Sequence, residues 1–375
     1  MLAAILFFIS AVGTALPRTI TTFIIFRIIG GLGVGAASMS SPMYIAEITP
    51  ARIRGRMVSV NQFAIVTGFL VVYFVNYFIA LQGDQMWNQQ VGWRWMFGSE
   101  ALPALLLLVL LFFVPESPRW LTKQGRGDEA LAILSRVDGA EYARTELLEI
   151  KDAVAHESGS LKQLLQPGMK IVLVMGIVLA ILQQVTGINV FLYFGTEIFK
   201  KMGSGTNAAL LQTVIVGVVN MTFTIVAIWT VDRLGRKPLM IIGSAGMGIS
   251  LLAMGLAAYF QKTELWVLLF ILGYIACFAL SVGPVTWVIL SEIFPTRIRG
   301  RAMAIATVCL WVSNYIISQT FPMMDGNQWL LEKFHRAFPF WIYGAFCAVL
   351  LVFVWRFVPE TKGKTLEEIE KHWMR

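Results

Sequence analysis

Residues 47–56 read EITPARIRGR, and residues 292–301 read EIFPTRIRGR, so ten residues recur with two substitutions 245 positions later. Each copy lies between long apolar stretches and combines a glutamate with three arginines. The correspondence extends further, because FVPESP at 113–118 matches FVPETK at 357–362 with an offset of 244. Repeats of this kind predict two structurally related helical halves, an architecture that is common in transporters.

The composition is that of a membrane protein. Hydrophobic residues make up 57% of the 375 residues, charged residues make up 14%, and the mean hydropathy is +0.71. Soluble domains carry about 25% charged residues. The net charge of +8 does not indicate nucleic-acid binding, because the basic residues form short clusters between apolar segments. The lipid bilayer is therefore the expected surrounding, and we expect no nucleic-acid partner.

Ten segments have the length and apolar character of membrane spans, which take about 20 residues each. They are residues 2–17, 20–47, 55–81, 93–114, 169–199, 207–231, 237–260, 264–294, 300–323 and 338–358. Most Lys and Arg residues follow the second, fourth, sixth, eighth and tenth spans. The positive-inside rule then places both RIRGR copies and the C-terminus in the cytoplasm, for a multi-pass protein of the cell inner (plasma) membrane.

Four regions follow from this count. We predict an N-terminal bundle at 1–115, a cytoplasmic linker of short amphipathic helices at 116–168, a six-span bundle at 169–358 and a cytoplasmic tail at 359–375. The offset pairs Met1 with Gly246, so the counterpart of residues 169–245 is missing from the front. We therefore expect an incomplete first half that lacks two helices.

Nothing in the sequence indicates an enzyme, a metal site or a cofactor. Cys277, Cys309 and Cys347 all lie in apolar segments without a CxxC pairing, and the three histidines are scattered. No nucleophile–base set is visible, and the GGLGVG stretch at 30–35 lies within a span, where it favours close helix packing.

Uncharged amides within the spans are the candidate binding groups, because polar side chains are costly in a bilayer unless they have partners. They are Gln62, Gln183, Gln184, Asn189 and Asn220. Such amides also join helices to one another, and for a single amide that interpretation is favoured. For the cluster at 183–189, which is followed by Tyr193, we favour a binding role.

Two irregular turns are expected near these amides. On a straight helix Gln184 and Asn189 would point about 140° apart, and Thr186-Gly187 between them could loosen the turn so that both face one cavity. Gly283-Pro284 should bend a second span and present Trp287 as an aromatic plate for a ligand.

Several motifs together resemble the sugar porter family of the major facilitator superfamily. They are DRLGRKP (232–238), PESPRWL (115–121), QQVTGIN (183–189), the two RIRGR copies and PETKGKTLEEIE (359–370). The resemblance covers essentially the whole chain. It implies an all-α membrane protein with two six-helix halves, the first incomplete, that transports a monosaccharide such as D-xylose by alternating access.

The resemblance also implies roles for individual residues. The residues implied to line or border the sugar site are Gln62, Gln183, Gln184, Asn189, Tyr193, Asn220, Gly283, Trp287 and Trp311. One position departs from the pattern, because Leu310 stands where xylose carriers of the family have a glutamine. This change removes a hydrogen-bonding group and favours either another sugar or weaker binding.

Proton coupling is assigned to Arg27 and Glu100, which match a linked pair in proton-coupled relatives. A structural pairing of Arg27 with some other group is the alternative. In such relatives the titrating aspartate lies on the first helix, which is expected to be missing here.

The repeated blocks place glutamates at the ends of spans and arginines at the starts of the next spans. We hypothesise a cytoplasmic latch that holds the carrier shut on that side when it faces outward. Its members are Glu47, Arg54, Glu116, Arg119, Asp232, Arg236, Glu292 and Arg299. Positive-inside anchoring alone would explain the arginines but not the recurring glutamates.

Three functions stay open at this stage. The first is a monomeric sugar–proton symporter, the second is an uncoupled sugar facilitator, and the third is a non-transporting fragment or sugar sensor. Proton uptake driven by sugar separates the first from the second, and binding without counterflow indicates the third.

Overall fold

A computed structural model describes residues 1–155, 167–201, 206–261, 266–294 and 299–363, and over these ranges the regular elements are helices. The first eight helices are α1 (Leu2–Ala15), α2 (Ile20–Ile48), α3 (Arg54–Ala80), α4 (Gln85–Trp87), α5 (Trp93–Gly98), α6 (Ala101–Leu110), α7 (Pro118–Lys123) and α8 (Gly127–Ala155). The others are α9 (Pro167–Val185), α10 (Ile188–Lys201), α11 (Thr206–Leu234), α12 (Arg236–Tyr259), α13 (Trp266–Cys277), α14 (Gly283–Ile293), α15 (Arg299–Asp325), α16 (Gln328–Phe334) and α17 (Phe338–Phe357).

Within the described ranges, nine helical segments are long and apolar enough to cross a membrane. The first of the ten predicted segments is the shorter apolar helix α1, with 14 residues, so each predicted segment contains an apolar helix. The helix ends at Ala15, two residues before Pro17, whose ring disfavours helical backbone at the residue that precedes it.

The chain divides into two compact units, and each is described separately. The N-terminal unit contains residues 1–48 and 69–151. In it α1 packs against α2, α5 and α6. Only 6% of the most apolar window of α2 is buried within the chain, so most of this surface is available to lipid or to other helices.

The linker between the spans is helical, as the sequence predicts for the part of 116–168 that the structure describes. Ser117 accepts a hydrogen bond from the Trp120 amide at the start of α7. Helix α8 bends at Asp138-Gly139, and its two arms close over a small core with Leu121, Leu134 and other apolar residues. Residues 156–166 lie outside the described ranges.

The C-terminal unit contains residues 49–68 and 152–375, of which the last described is Gly363. In it α12 packs against α13 and α17, and α9 packs against α15. Burial is deep, because 67% of the most apolar window of the α9–α10 span is inside the chain. The residues predicted to bind sugar all lie in this unit.

Two of its spans are interrupted where the sequence predicts irregular turns. Helix α9 ends at Val185 and α10 begins at Ile188, with Gly187 between them at φ +89°. In the other span a π-helical turn at Phe278–Val282 separates α13 from α14, which begins with Gly283 and Pro284. Interruptions of this kind release backbone groups and redirect side chains.

Candidate functional site

The interruption between α9 and α10 brings two predicted amides together. The Asn189 Nδ2 donates a hydrogen bond to Gln184 Oε1 over 2.6 Å. On an uninterrupted helix these side chains would lie about 140° apart. The expected loosening at Thr186-Gly187 is therefore found, and it turns both amides to the same side.

The contact continues to a third helix through a residue that sequence reasoning missed. Asn189 Nδ2 also donates to Asn314 Oδ1 over 2.9 Å, and Asn314 Nδ2 donates to the Tyr193 hydroxyl over 3.3 Å. Asn314 is 6% exposed on α15. We call Gln183, Gln184, Asn189, Asn314 and Tyr193 the amide cluster. It joins α9, α10 and α15 without using a charged group.

Asn314 had a usable sequence signal. Thr307, Asn314 and Ser318 stand seven and four residues apart, so they share one face of a helix. The Ser318 hydroxyl is 3.4 Å from Asn314 Oδ1, which agrees with that spacing. A polar stripe along an otherwise apolar span could therefore have identified this residue.

Gln183 ties the cluster to the interrupted α13–α14 span. Its Nε2 donates to the carbonyl oxygens of Val282 and Gly283, each over 3.3 Å, and its Oε1 accepts from Gln184 Nε2 over 3.4 Å. Trp287 lies one turn further along α14, all of whose residues are buried. Gln183 thus links the amides to the helix that carries the predicted aromatic plate.

Three further polar atoms are buried and have no hydrogen-bond partner among the described residues. They are Asn220 Oδ1, Trp311 Nε1 and Thr307 Oγ1. Trp311 and Thr307 lie on α15, within about 60° and 20° of Asn314 around the helix. An acceptor, a donor and a hydroxyl of this unit are therefore without a protein partner in the part of the chain that the structure describes.

The remaining predicted positions are less closely tied to the cluster. Gln62 is half-buried on α3, and the described part of the structure gives no hydrogen bond from it to the amide cluster. Leu310 is 2% exposed and lies one helical turn before Asn314 on the buried stripe of α15. An apolar side chain thus stands beside the cluster at the position where the sequence departs from the family pattern.

The predicted coupling pair lies in the N-terminal unit. The Arg27 guanidinium interacts electrostatically with the Glu100 carboxylate and stacks 5.3 Å from the centre of the Phe97 ring. The Arg27 side chain is exposed on α2, whereas Glu100 is half-buried. Within this unit the apolar neighbours on the same turns of α2, such as Ile24 and Ile28, are exposed as well, so they do not cover the guanidinium.

Four of the predicted latch residues lie close to one another in the C-terminal unit. Arg236 contacts both oxygens of Glu292, with Nη2 at 2.8 Å and Nε at 3.1 Å, and its Nη1 lies 3.0 Å from Asp232 Oδ1. The Arg236 and Glu292 side chains are only 5% and 9% exposed. Arg299 is also buried, and its Nε donates to the carbonyl of Phe294, two residues after Glu292.

The tail completes this network through residues that sequence reasoning did not select. The Thr361 hydroxyl donates to Glu292 Oε2 over 2.6 Å. The Glu360 carboxylate accepts from the amides of Arg236 and Lys237 over 3.0 and 2.9 Å, which caps the first turn of α12. No local pattern predicts these contacts, because they join residues more than 65 positions apart along the chain.

A glycine of the first RIRGR copy, Gly55, packs closely against Arg236 and Asp232 of the same network. A Cβ added at Gly55 would lie 2.4 Å from Arg236 Nη2 and 2.6 Å from Asp232 Oδ1, so only glycine fits without displacement. Arg54 starts α3 directly before it.

The other predicted latch residues lie in the N-terminal unit. Glu47 accepts a 2.6 Å hydrogen bond from Ser117, which directly follows Glu116, and Arg119 lies on α7.

A separate cavity of about 640 Å³ lies in the C-terminal unit, at the ends of α12 and α15 that are remote from Arg236 and Arg299. Its walls are mostly apolar and include Phe194, Met254 and Phe321. None of the residues predicted to bind sugar lines it. Its size therefore does not bear on the sugar assignment.

Comparison with known proteins agrees with the helical architecture. The D-xylose-proton symporter of Escherichia coli K12 is 52% identical over 390 residues, which cover 99% of this chain and 79% of the relative. The arabinose-proton symporter of Bacillus subtilis 168 is 45% identical over 377 residues, covering 100% of this chain and 80% of the relative.

A solved structure resembles the fold closely. It is a proton:xylose symporter of the major facilitator superfamily bound to 6-bromo-6-deoxy-D-glucose, with a TM-score of 0.91 and 53% identity over 99% of this chain and 82% of that one. The profile of the family described as "Sugar (and other) transporter" matches residues 1–373. The chain therefore belongs to the sugar (and other) transporter family and has the major facilitator fold.

Proposed function

We propose that this protein carries a monosaccharide, D-xylose or a related sugar, across the cell inner membrane by alternating access, together with a proton. The observation that carries the sugar assignment is the amide cluster, in which Asn189 bridges α9, α10 and α15. The names of the relatives support D-xylose and arabinose as the first sugars to test.

The chemistry of the cluster fits an uncharged polyol. Each amide offers donors and acceptors at once, which match the donor–acceptor character of sugar hydroxyls. The unpaired atoms of Asn220 and Trp311 add one acceptor and one donor. Trp287 offers an apolar face for the ring hydrogens. A carboxylate would bring a charge that such a ligand cannot match.

Uptake by proteoliposomes tests this function. We expect the purified protein to take up labelled D-xylose or L-arabinose, and Asn189→Ala to reduce uptake at least about tenfold, since it removes two hydrogen bonds of the site. Gln82→Ala is the matched control, because this amide lies at an exposed helix end and bonds only the carbonyl of Phe78. Failure of the unaltered protein to bind or move any sugar of this class contradicts the proposal.

Coupling to protons is proposed to use Glu100 and Arg27. The Glu100→Gln variant keeps the side-chain shape and removes the titrating group, so uptake driven by a pH gradient should be lost while sugar counterflow continues. Glu129→Gln, an exposed carboxylate on α8 that pairs with Arg126, should leave both activities unchanged. Sugar uptake without proton movement in the unaltered protein would instead identify a facilitator.

The network around Arg236 is proposed as part of a cytoplasmic latch. Its support is the buried ion pair with Glu292 together with the contacts from Thr361 and Gly55. The positive-inside pattern supports a cytoplasmic location of this network and of the C-terminus. A reporter fused after Arg375 that is active only in the periplasm should be silent. We propose a monomer as the working unit.

A further inference from the structure

The backbone between α9 and α10 contains a carbonyl that the helix does not satisfy. In an α-helix the amide of residue 190 would donate to the carbonyl of Thr186. In the structure the Val190 amide donates to the carbonyl of Gly187 instead, over 3.1 Å. The Thr186 carbonyl therefore lacks its helical donor, and it directly precedes Gly187, the residue at φ +89°.

That carbonyl is satisfied by a side chain from another span. The Tyr274 hydroxyl, on α13, donates to it over 2.9 Å. Both residues are fully buried, with Tyr274 and Thr186 each 0% exposed. Away from water an unpaired carbonyl is costly, so this hydrogen bond contributes directly to keeping the interruption open.

Neighbouring contacts restrict the same segment. The Thr186 hydroxyl donates to the Gln183 carbonyl over 2.7 Å, and the Gly187 amide donates to the Gln184 carbonyl over 3.0 Å. The Tyr274 ring lies 4.8 Å from the Phe191 ring on α10. The backbone on both sides of Gly187 is thus held by partners inside the unit.

We propose that Tyr274 is a positioning residue for sugar recognition, whose hydroxyl keeps the α9–α10 interruption in the geometry that turns Asn189 toward Gln184. This inference rests on the proposed function for its link to sugar. Tyr274 lies outside the amide cluster and acts through the Thr186 carbonyl.

The structure provides a matched control. Tyr343, on α17, is also 0% exposed and packs its ring against Gly187, but its hydroxyl has no hydrogen-bond partner among the described residues. Tyr274→Phe and Tyr343→Phe therefore make the same chemical change at two buried rings beside the same interruption. Only the first removes a hydrogen bond.

The first measurement needs no sugar. Amide hydrogen exchange of the purified full-length protein in nanodiscs should show faster exchange at residues 187–191 in Tyr274→Phe than in Tyr343→Phe, which should match the unaltered protein. Equal exchange in the two variants overturns the proposal. This result is independent of whether the protein recognises sugar.

The second measurement titrates D-xylose and follows binding. We expect Tyr274→Phe to weaken binding about tenfold and Tyr343→Phe to stay within about twofold. The double variant Tyr274→Phe with Asn189→Ala should bind D-xylose as weakly as Asn189→Ala alone. The reason is that the Tyr274 hydroxyl acts on binding through the orientation of Asn189. Additive effects would show that Tyr274 acts on stability alone and would overturn the inference.

Two outcomes separate this inference from the proposed function. If the unaltered protein binds no sugar of this class, the proposed function fails, and the role of Tyr274 in recognition fails with it. If it binds D-xylose and Tyr274→Phe binds equally well, only the role of Tyr274 fails. If Tyr274→Phe loses cooperative thermal unfolding, the hydroxyl supports the whole unit rather than the recognition geometry, and the role of Tyr274 in recognition fails as well.

Discussion

Gly187 joins two helices in a backbone conformation that side chains rarely adopt. Its φ of +89° lies in the region that favours glycine, and an added Cβ would lie 2.6 Å from Cδ2 of the Tyr343 ring. Two independent effects therefore require glycine at this position, one from the backbone and one from packing.

A substitution at this residue tests both effects. We expect Gly187→Ala to lower stability by more than about 2 kcal/mol, since the strained backbone alone costs roughly 1–2 kcal/mol, and to abolish sugar binding. Thermal unfolding in detergent measures the first effect and xylose titration the second. Gly31→Ala is the control, because α2 is regular there and nothing lies within 4 Å of the added methyl group. Equal unfolding temperatures for the two variants would contradict this reasoning.

At single positions the sequence was informative where two signals coincided. Gln183, Gln184 and Asn189 combined polarity with a glycine-containing interruption, and the structure brings them together. Asn314 was missed although it shares a helix face with Thr307 and Ser318, because no interruption accompanies it. The exposure of Arg27 could not be anticipated either, because polarity within a span shows that a partner is needed but not which surface the side chain faces.

Among the elements, the start of α12 depends on a segment outside it. Gly235 precedes the helix at φ +94°, and the first amides donate to Glu360 rather than to a local capping residue. The carboxylate also lies at the positive end of the helix dipole. The element is therefore stabilised by the tail as well as by its own sequence.

This dependence predicts an effect of a neutral substitution in the tail. Glu360→Gln keeps the shape and one acceptor but removes the charge, so we expect a loss of about 0.5–2 kcal/mol of stability. Thermal unfolding in detergent is the measurement. Glu332→Gln, an exposed glutamate on α16, should have no effect. If both variants unfold at the wild-type temperature, the cap does not stabilise α12.

Helices were predicted better than the irregularities within them. The lengths of the apolar segments predicted nine helices that are long enough to span a membrane. A glycine beside a β-branched residue or a proline predicted the positions of both interruptions. Gly283-Pro284 did not predict that the irregular backbone is a π-helical turn at Phe278–Val282, directly before the glycine. The first segment was predicted at 2–17, and its helix ends two residues earlier, at Ala15, because Pro17 follows.

For the whole molecule, the buried pair of Arg236 and Glu292 is the feature on which the proposed latch depends. Removing one charge of a buried pair is strongly destabilising, by roughly 3–5 kcal/mol when no other partner remains. Asp232 stays 3.0 Å from Arg236, so the cost here should be smaller. A change of that size is sufficient to shift an equilibrium between two conformations.

We therefore expect Glu292→Gln to favour the state that is open to the cytoplasm. A cysteine introduced at Ser59, which is buried four residues after Gly55, should then be labelled about tenfold faster from the cytoplasmic side. The exchanged pair Arg236→Glu with Glu292→Arg should recover part of the slow labelling, and Glu129→Gln should not alter it. Unchanged labelling in Glu292→Gln would rule out the latch.

The repeated decamers predicted the helical architecture, but they did not predict how the second copy is completed. Thr361 and Glu360 meet Glu292 and α12 only through the tertiary fold, at sequence separations of 69 and 124 residues. Periodicity and composition describe neighbours along a helix, and they contain no information on contacts of this range.

The Glu360 cap also sets an order of events during synthesis. The ribosome makes α12 more than a hundred residues before it makes Glu360, so the first amides of the nascent helix lack this acceptor until then. The closing contacts form only after α17, the last described helix, has been translated. A chain that terminated after Phe357 would contain all of these helices but would lack the Glu360 carboxylate that caps α12. The stability of α12 would therefore distinguish such a shortened chain from the finished one.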